Sequence, residues 1–318
     1  MGGGAQEAVA HRRTATVTTI DRLRVVVLLA ALGGPAVTAQ VQLPSAPPKQ
    51  FGTSVSPSFD GWFANADGTV SFLVGYYNRN TDQEIDVPIG PNNRFEPGEV
   101  DRGQPTHFLT RRRYGMFVIT VPKDYPKDQK IWWSLTVNGV TNRIPFYMHT
   151  DYNVSPFTST EESPNGARNT PPRLRFDARG PAFQGPATTI AAAVARTVTA
   201  GVPMPLDFLV DDDALYSTGA NAPLTGERPM VTLVVSKYRG PGDVTVTSPP
   251  KFETLKGGKA LDPYSGRSST SLTFSQPGDY LVHVTANDLS GNGGGGAVCC
   301  WTNAMLAVSV KGATTTKP

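Results

Sequence analysis

The segment from Ser268 to Val310 most tightly restricts the fold of this chain, because it alternates apolar and polar residues in short runs. A Pro277-Gly278 turn separates the first two runs, and a glycine-rich loop precedes the third, which begins near Cys299 and Cys300. A period of two is typical of half-buried strands, and such turns and loops are typical of their connections. The segment therefore predicts three antiparallel strands of a β-sandwich.

The composition extends this prediction to the whole chain. Its 318 residues are enough for two domains, and 32 Gly and 28 Pro favour many short strands over helices. Neither half has a sustained amphipathic helical pattern. We predict an all-β protein with two β-sandwich domains in tandem.

Residues 1–39 have the features of a secretory signal peptide. Arg22 and Arg24 precede the apolar run 25–32, and Val37 and Ala39 fit a cleavage site after Ala39. The apolar run is too short to be a permanent anchor. We therefore expect a secreted or periplasmic protein with no integral membrane span after cleavage.

The net charge argues against nucleic acid as a partner. The formal net charge is +3, and the four arginines and two acidic residues of the signal peptide account for two of these three charges. A nearly neutral mature protein lacks the basic surface that phosphate backbones require. A protein or polysaccharide surface is left as the expected partner.

Turn-rich and apolar stretches divide the chain. We predict a Pro-rich lead-in at 40–50, an N-terminal β-sandwich domain at 51–157, a polar linker at 158–172, a second β-sandwich domain at 173–310 and a polar tail at 311–318. Asn138-Gly139, between two apolar runs, predicts a type I′ hairpin. Residues 188–200 fit a helix or a strand equally well.

The second half resembles the PKD and immunoglobulin-like families over roughly 197–310. The resemblance rests on Thr199-Ala200-Gly201-Val202-Pro203 leading into 204–212, and on 276–288, which reads Gln-Pro-Gly-Asp-Tyr and then Leu-Val-His-Val-Thr-Ala-Asn-Asp. It implies an immunoglobulin-like or PKD-like sandwich and no particular function. The chain departs from it by the long section 216–229 and by the cysteine pair. The first half resembles no family.

The resemblance also implies a candidate calcium site. In such a sandwich the second and sixth strands run the same way, so the loops after them share one end. That would place Asp211, Asp212 and Asp213 near Asn287 and Asp288, whose oxygens are ligands that Ca²⁺ prefers. The alternative is a solvated polar rim, because adjacent Asp residues are common turn formers. No other cofactor is expected.

Two residues of the 276–288 segment have structural interpretations. Tyr280 follows Pro-Gly-Asp at the start of its strand, as a tyrosine corner would. His283 lies between Val282 and Val284, which should point inward, so alternation predicts His283 on the exposed face of the sheet.

Cys299 and Cys300 are the two cysteines of the chain and are adjacent. Neighbouring Cα atoms are about 3.8 Å apart, below the usual disulfide span of about 4.4–6.8 Å, so a vicinal disulfide would be a strained ring. Four interpretations remain open: inert thiols, a bridge that stiffens the loop, a redox or soft-metal site, and pairing between molecules.

Trp132 and Trp133 are candidates for aromatic binding. Strand alternation puts the two indoles on opposite faces, so one faces solvent unless another part of the chain covers it. Exposed aromatic rings bind sugars and proteins by stacking and apolar burial. The alternative is that both indoles are buried.

Enzyme motifs are missing from the sequence. It has no His-Glu-x-x-His, Gly-x-Ser-x-Gly or phosphate-binding glycine loop, and its histidines, His11, His107, His149 and His283, are scattered. We expect an exported, non-enzymatic binding or structural protein. The alternatives are a carbohydrate-binding accessory protein and a hydrolase with its site in the N-terminal domain.

Overall fold

The computed structural model describes residues 49–158, 168–215, 230–258, 262–288 and 299–312, all within one compact unit. The predicted signal peptide lies outside these residues, as do 40–48 of the lead-in, 159–167 of the linker and 313–318 of the tail. No helix in the described part of the chain has the length and apolar content needed to cross a bilayer.

The first half is built of eight strands in small antiparallel sheets. They are β1 (Val55–Ala64), β2 (Val70–Asn78), β3 (Ile85–Asp86), β4 (Asn93–Glu96), β5 (His107–Phe108), β6 (Arg111–Val121), β7 (Ile131–Val137) and β8 (Val140–Phe146). The sheets have the orders β1-β2-β6, β4-β7-β8 and β3-β5. The hairpin of β7 and β8 is confirmed, and Asn138 and Gly139 both have positive φ, as its turn requires.

The core of this half is rich in aromatic rings. Phe72, Phe95, Phe117 and Phe146 are buried with Trp133, whose ring stacks on Phe95 at a centroid distance of 5.4 Å. Strand β2 is buried along almost its whole length, on both faces. A second layer must therefore cover the face of β2 that points away from this core.

The second half is a sandwich of two sheets. Its strands are β9 (Arg173–Arg175), β10 (Val194–Thr199), β11 (Met204–Asp212), β12 (Val231–Arg239), β13 (Val244–Val246), β14 (Glu253–Lys256), β15 (Tyr264–Phe274), β16 (Gly278–Asp288) and β17 (Trp301–Lys311). One sheet has the order β10-β17-β16-β12, and the other has β13-β15-β11-β9 with β14 paired to β15. The chain is therefore all-β, as predicted.

Alternation accounts for the core between these two sheets. Leu206, Phe208 and Val210 of β11 face Val282 and Val284 of β16, and all five are buried. The Tyr280 hydroxyl donates a hydrogen bond to the Gln276 carbonyl at 2.9 Å, which is the contact of a tyrosine corner. Residues 188–200 contain a short 3₁₀ turn, Ile190–Ala192, and then β10, which pairs in parallel with β17.

The outer face of the β10-β17-β16-β12 sheet is covered by the first half of the chain. Trp301, Asn303 and Met305, which alternate with the inward residues of β17, are all buried. The exposed position predicted for His283 is wrong. Its side chain is buried, and its Nε2 lies 3.0 Å from the Met116 carbonyl oxygen of β6. The prediction failed because alternation shows that a side chain leaves the core but not what covers it.

Candidate functional site

The acidic residues proposed for calcium are divided between different surfaces. Asp211 points outward and pairs with Arg175, while Asp213 accepts hydrogen bonds from the backbone and side chain of Thr170. Asn287 lies on the opposite face of β16 from Asp288, because consecutive side chains alternate. Within the residues that the structure describes, no group of three or more His, Cys, Asp or Glu side chains is arranged to hold a metal ion.

Asp212 and Asp288 do come together, on the inner side of the two sheets at one end of the sandwich. Both are buried, and Asn169 donates a hydrogen bond to Asp288 Oδ2 at 2.8 Å. Asp212 Oδ2 accepts a bond from the Ala214 amide at 3.0 Å, whereas its Oδ1 is buried with no hydrogen-bond partner among the residues that the structure describes. Burial, and then repulsion from Asp288, raise the pKa of Asp212 to about 8. This carboxyl is therefore mostly protonated at neutral pH.

Cys299 and Cys300 form a disulfide with each other, and both residues are buried. The sulfur of Cys300 lies 3.7 Å from the Asn169 carbonyl oxygen. The pair directly precedes β17, whose first residue, Trp301, is also fully buried. Burial at this point favours the stiffening role among the interpretations of the pair.

The two tryptophans have different surroundings. Trp133 is a core residue whose Nε1 donates to Asn93 Oδ1 at 2.9 Å, so it is not a surface binding residue. Trp132 is half-buried, with the Arg143 guanidinium 4.0 Å above its ring. Since Arg143 also pairs with Glu96, one face of the Trp132 ring is already occupied.

A charged cluster around His107 was not predicted. His107 Nε2 lies 3.0 Å from Glu84 Oε2, its Nδ1 lies 3.1 Å from Asp86 Oδ1, and Lys237 of the second half lies 3.0 Å from the same Asp86 oxygen. Burial lowers the pKa of His107, but the hydrogen bonds and charges of Asp86 and Glu84 outweigh it and raise the pKa above 6.5. The sequence signal for this cluster was the pair Glu84-x-Asp86, two acidic residues at and directly before β3.

The contact between the sandwiches was also missed. Arg239 makes a bidentate pair with Asp101, at 2.8 and 2.7 Å, and donates to the Gln104 carbonyl. The Tyr238 hydroxyl donates to the Gly103 carbonyl at 2.5 Å, and its ring stacks on His283. The bonds to the Gly103 and Gln104 carbonyls are partly buried, and polar groups away from water must be paired, which makes the contact directional. The sequence signal for this contact was the pair Tyr238-Arg239 at the end of β12.

A surface cluster of rings lies after β8. Tyr147, His149 and Tyr152 are neighbours, with centroid distances of 5.6 to 6.2 Å, and we name these three residues the aromatic corner. Tyr152 is 45% exposed. The spacing Tyr-x-His-x-x-Tyr in the sequence was the signal for it.

Comparisons with known proteins leave the chain without a family. No model of a protein family matches it, and no curated protein does. Among solved structures it is similar to domains 4 and 5 of the S-layer protein SbsC, with 12% identity and a TM-score of 0.20 over 81% of this chain and 98% of that one.

Two further solved structures are similar at the same level. Cadherin-like domains 1 to 4 of zebrafish RET share 13% identity, with a TM-score of 0.25 over 61% of this chain and 36% of that one. A protein of unknown function from Porphyromonas gingivalis W83 shares 8% identity, with a TM-score of 0.20 over 81% and 100%. Scores this low establish no shared fold, so the fold rests on the strands and cores described above.

Proposed function

We infer that this chain is an exported, non-enzymatic structural protein whose two sandwiches form one rigid unit. The observation that carries this proposal is the contact between the sandwiches, in which His283, Trp301 and Asn303 are all buried. Such a unit presents its outer faces and loops in a fixed arrangement, as a spacer or a surface-displayed module requires.

The kind of contact supports rigidity. Contacts between mobile domains are usually polar and hydrated, and they allow relative motion. Here Trp301 packs with Phe63, Leu73 and Val118 of the first half, and Asn303 Nδ2 donates to the Gly115 carbonyl at 2.5 Å. Apolar packing supplies stability, and paired polar groups exclude alternative orientations.

The surroundings of two histidines, His107 and His283, support a non-enzymatic role. A general base needs a ring nitrogen within reach of the proton that it abstracts. Both nitrogens of His107 are taken by carboxylates, and His283 is buried against the Met116 carbonyl. A screen for esterase, glycosidase and peptidase turnover that is lost in His107→Gln or His149→Gln would contradict this part of the proposal.

Export rests on residues 1–39. Intact mass measurement of the protein recovered outside the cytoplasm should show a chain that begins at Gln40. A cytoplasmic product that retains all 39 residues would contradict export while leaving the rigid unit untested by this measurement.

Hydrogen exchange in increasing urea tests the rigid unit. We expect the amides of β7 and of β16 to lose protection at the same urea concentration, because the sandwiches share buried residues and unfold together. Protection lost from one sandwich at clearly lower urea than from the other would refute the proposal.

A further inference from the structure

The aromatic corner lies at the surface of the protein and not in its core. The rings of Tyr147 and Tyr152 are 6.2 Å apart at an interplanar angle of 90°, and Tyr147 meets His149 at 70°. Tyr152 is 45% exposed, and the side chain of His149 is 51% exposed. The two tyrosine rings therefore meet edge to face, and the exposed part of Tyr152 lies beside the exposed imidazole of His149.

The backbone that carries these rings is fixed to β1. Trp62 Nε1 donates to the His149 carbonyl at 2.7 Å, and the Val154 amide donates to the Trp62 carbonyl at 2.9 Å. Beneath the corner, Phe59 packs edge-on against Tyr152 at 5.5 Å and also contacts Phe146. A ligand would therefore find the rings already in position, which lowers the entropy cost of binding.

Polar groups surround the corner and balance in charge. The Lys130 ammonium lies 5.1 Å from the centre of the Tyr147 ring, and the Asp151 carboxylate lies 3.6 Å from His149 Nδ1. The two tyrosine hydroxyls and the imidazole add donors and acceptors at the edges. Apolar ring faces bordered by hydrogen-bonding groups match a sugar ring, whose C–H faces are apolar and whose rim carries hydroxyls.

We propose that the aromatic corner binds a single chain of a neutral, soluble polysaccharide. One sugar ring lies against the Tyr152 face, with its edge towards Tyr147, and its hydroxyls bond to His149 and Asp151. Because the rings are perpendicular, they form no flat platform, and the corner does not take the surface of a crystalline polymer. The inference goes beyond the proposed function and does not depend on the rigidity of the two sandwiches.

Affinity gel electrophoresis of the full chain tests this site. The probes in the gel are laminarin, xylan, hydroxyethylcellulose and dextran, and pelleting with crystalline cellulose is run beside them. We expect at least one soluble probe to retard the protein, and we expect Tyr152→Ala and Tyr147→Ala each to weaken that binding about tenfold. Phe51→Ala is the control, since Phe51 is exposed but precedes β1 and lies outside the corner.

Three results would overturn the proposal: retardation by none of the probes, unchanged binding in both tyrosine variants, or binding to crystalline cellulose alone. If the near-ultraviolet circular dichroism of Tyr152→Ala differs from that of the parent, Tyr152→Leu replaces it. Leucine keeps an apolar contact with Phe59 but has no ring face, so its binding loss reports on stacking.

Discussion

His107 and His283 both lie in the contact between the sandwiches, yet their surroundings move their pKa values in opposite directions. Burial lowers the pKa of His283 to about 4, so this ring is neutral at pH 7. A carbonyl oxygen can only accept, and the neutral ring therefore carries its proton on Nε2, towards Met116. His107 instead lies between two carboxylates and is charged at mildly acidic pH.

The charge of His107 makes the stability of the protein depend on pH. A raised pKa in the folded state gives a contribution that is complete below 6.5 and is lost as the pH rises through the folded value. We expect His107→Gln to lower the free energy of unfolding by about 1 kcal/mol near pH 6 and by less near pH 9. Urea unfolding at both pH values measures this, and the exposed His149→Gln is the control.

Asp212 should make the stability of the protein depend on pH in the opposite direction to most carboxyls. Its pKa is 3.8 when unfolded and about 8 when folded, so folding takes up a proton between these values and stability falls as the pH rises. Asp212→Asn should raise the free energy of unfolding by about 1 to 2 kcal/mol near pH 8 and change it little near pH 4. The exposed Asp151→Asn is measured in parallel as the control.

Titration can decide whether Ca²⁺ binds at the end of the sandwich that carries Asp212 and Asp288. In the described part of the chain, Asp212 and Asp288 are the two candidate carboxylates that lie together, and Ca²⁺ takes about six to eight oxygen ligands. We therefore expect no heat and no shift in melting temperature with millimolar Ca²⁺. Heat that disappears in Asp212→Asn would instead establish a site.

At the scale of elements, one glycine allows two sheets to approach each other. Gly115 of β6 has a φ of +44°, and a Cβ there would lie 2.5 Å from Trp301 Cζ2 of β17. Gly115→Ala should therefore lower the free energy of unfolding by about 3 kcal/mol, through backbone strain and displacement of the indole. Thermal unfolding measures this change.

Gly139→Ala is the matched control. Gly139 also has a positive φ, of +76°, but no atom of the described residues lies within 4 Å of its added Cβ. Gly139→Ala should lower the free energy of unfolding by about 1 kcal/mol, through backbone strain alone. Equal losses in the two variants would show that the contact with Trp301 contributes nothing.

Strands could be predicted from the sequence wherever the signal is local. Asn138-Gly139 specifies its own turn, and the inward residues of β16 alternate regularly. The burial of His283 could not be predicted, because the covering atom belongs to Met116, 167 positions away. A period of two shows which side chains share a face of a strand. Whether the outer face of β17 is buried or exposed depends on a segment that is distant in the sequence.

The candidate sites could likewise be predicted only where the sequence signal is local. The resemblance to immunoglobulin-like domains placed Asp212 and Asp288 at one end, and the structure brings them together. Alternation alone separates Asp211 from Asp212, and Asp213, directly after β11, accepts a hydrogen bond from Thr170 instead. The His107 cluster needed tertiary information, since Lys237 comes from the other sandwich.

For the whole molecule, Arg239 is the most direct test of how the sandwiches hold together. Arg239→Ala removes a bidentate pair and leaves Asp101 and the Gln104 carbonyl without a partner from β12. We expect a loss of about 2 kcal/mol in the free energy of unfolding, with a single transition retained. Arg267→Ala removes an exposed pair with Glu253 and should cost less than about 0.5 kcal/mol in the same urea titration.

The position of β17 has a mechanical consequence. It lies between two partners, with six residue pairs to parallel β10 and ten to antiparallel β16. A pull along the chain beyond this strand loads both rows of hydrogen bonds lengthwise, so they must shear together instead of opening one after another. The protein should therefore resist tension applied at that end far better than its thermal stability alone would suggest.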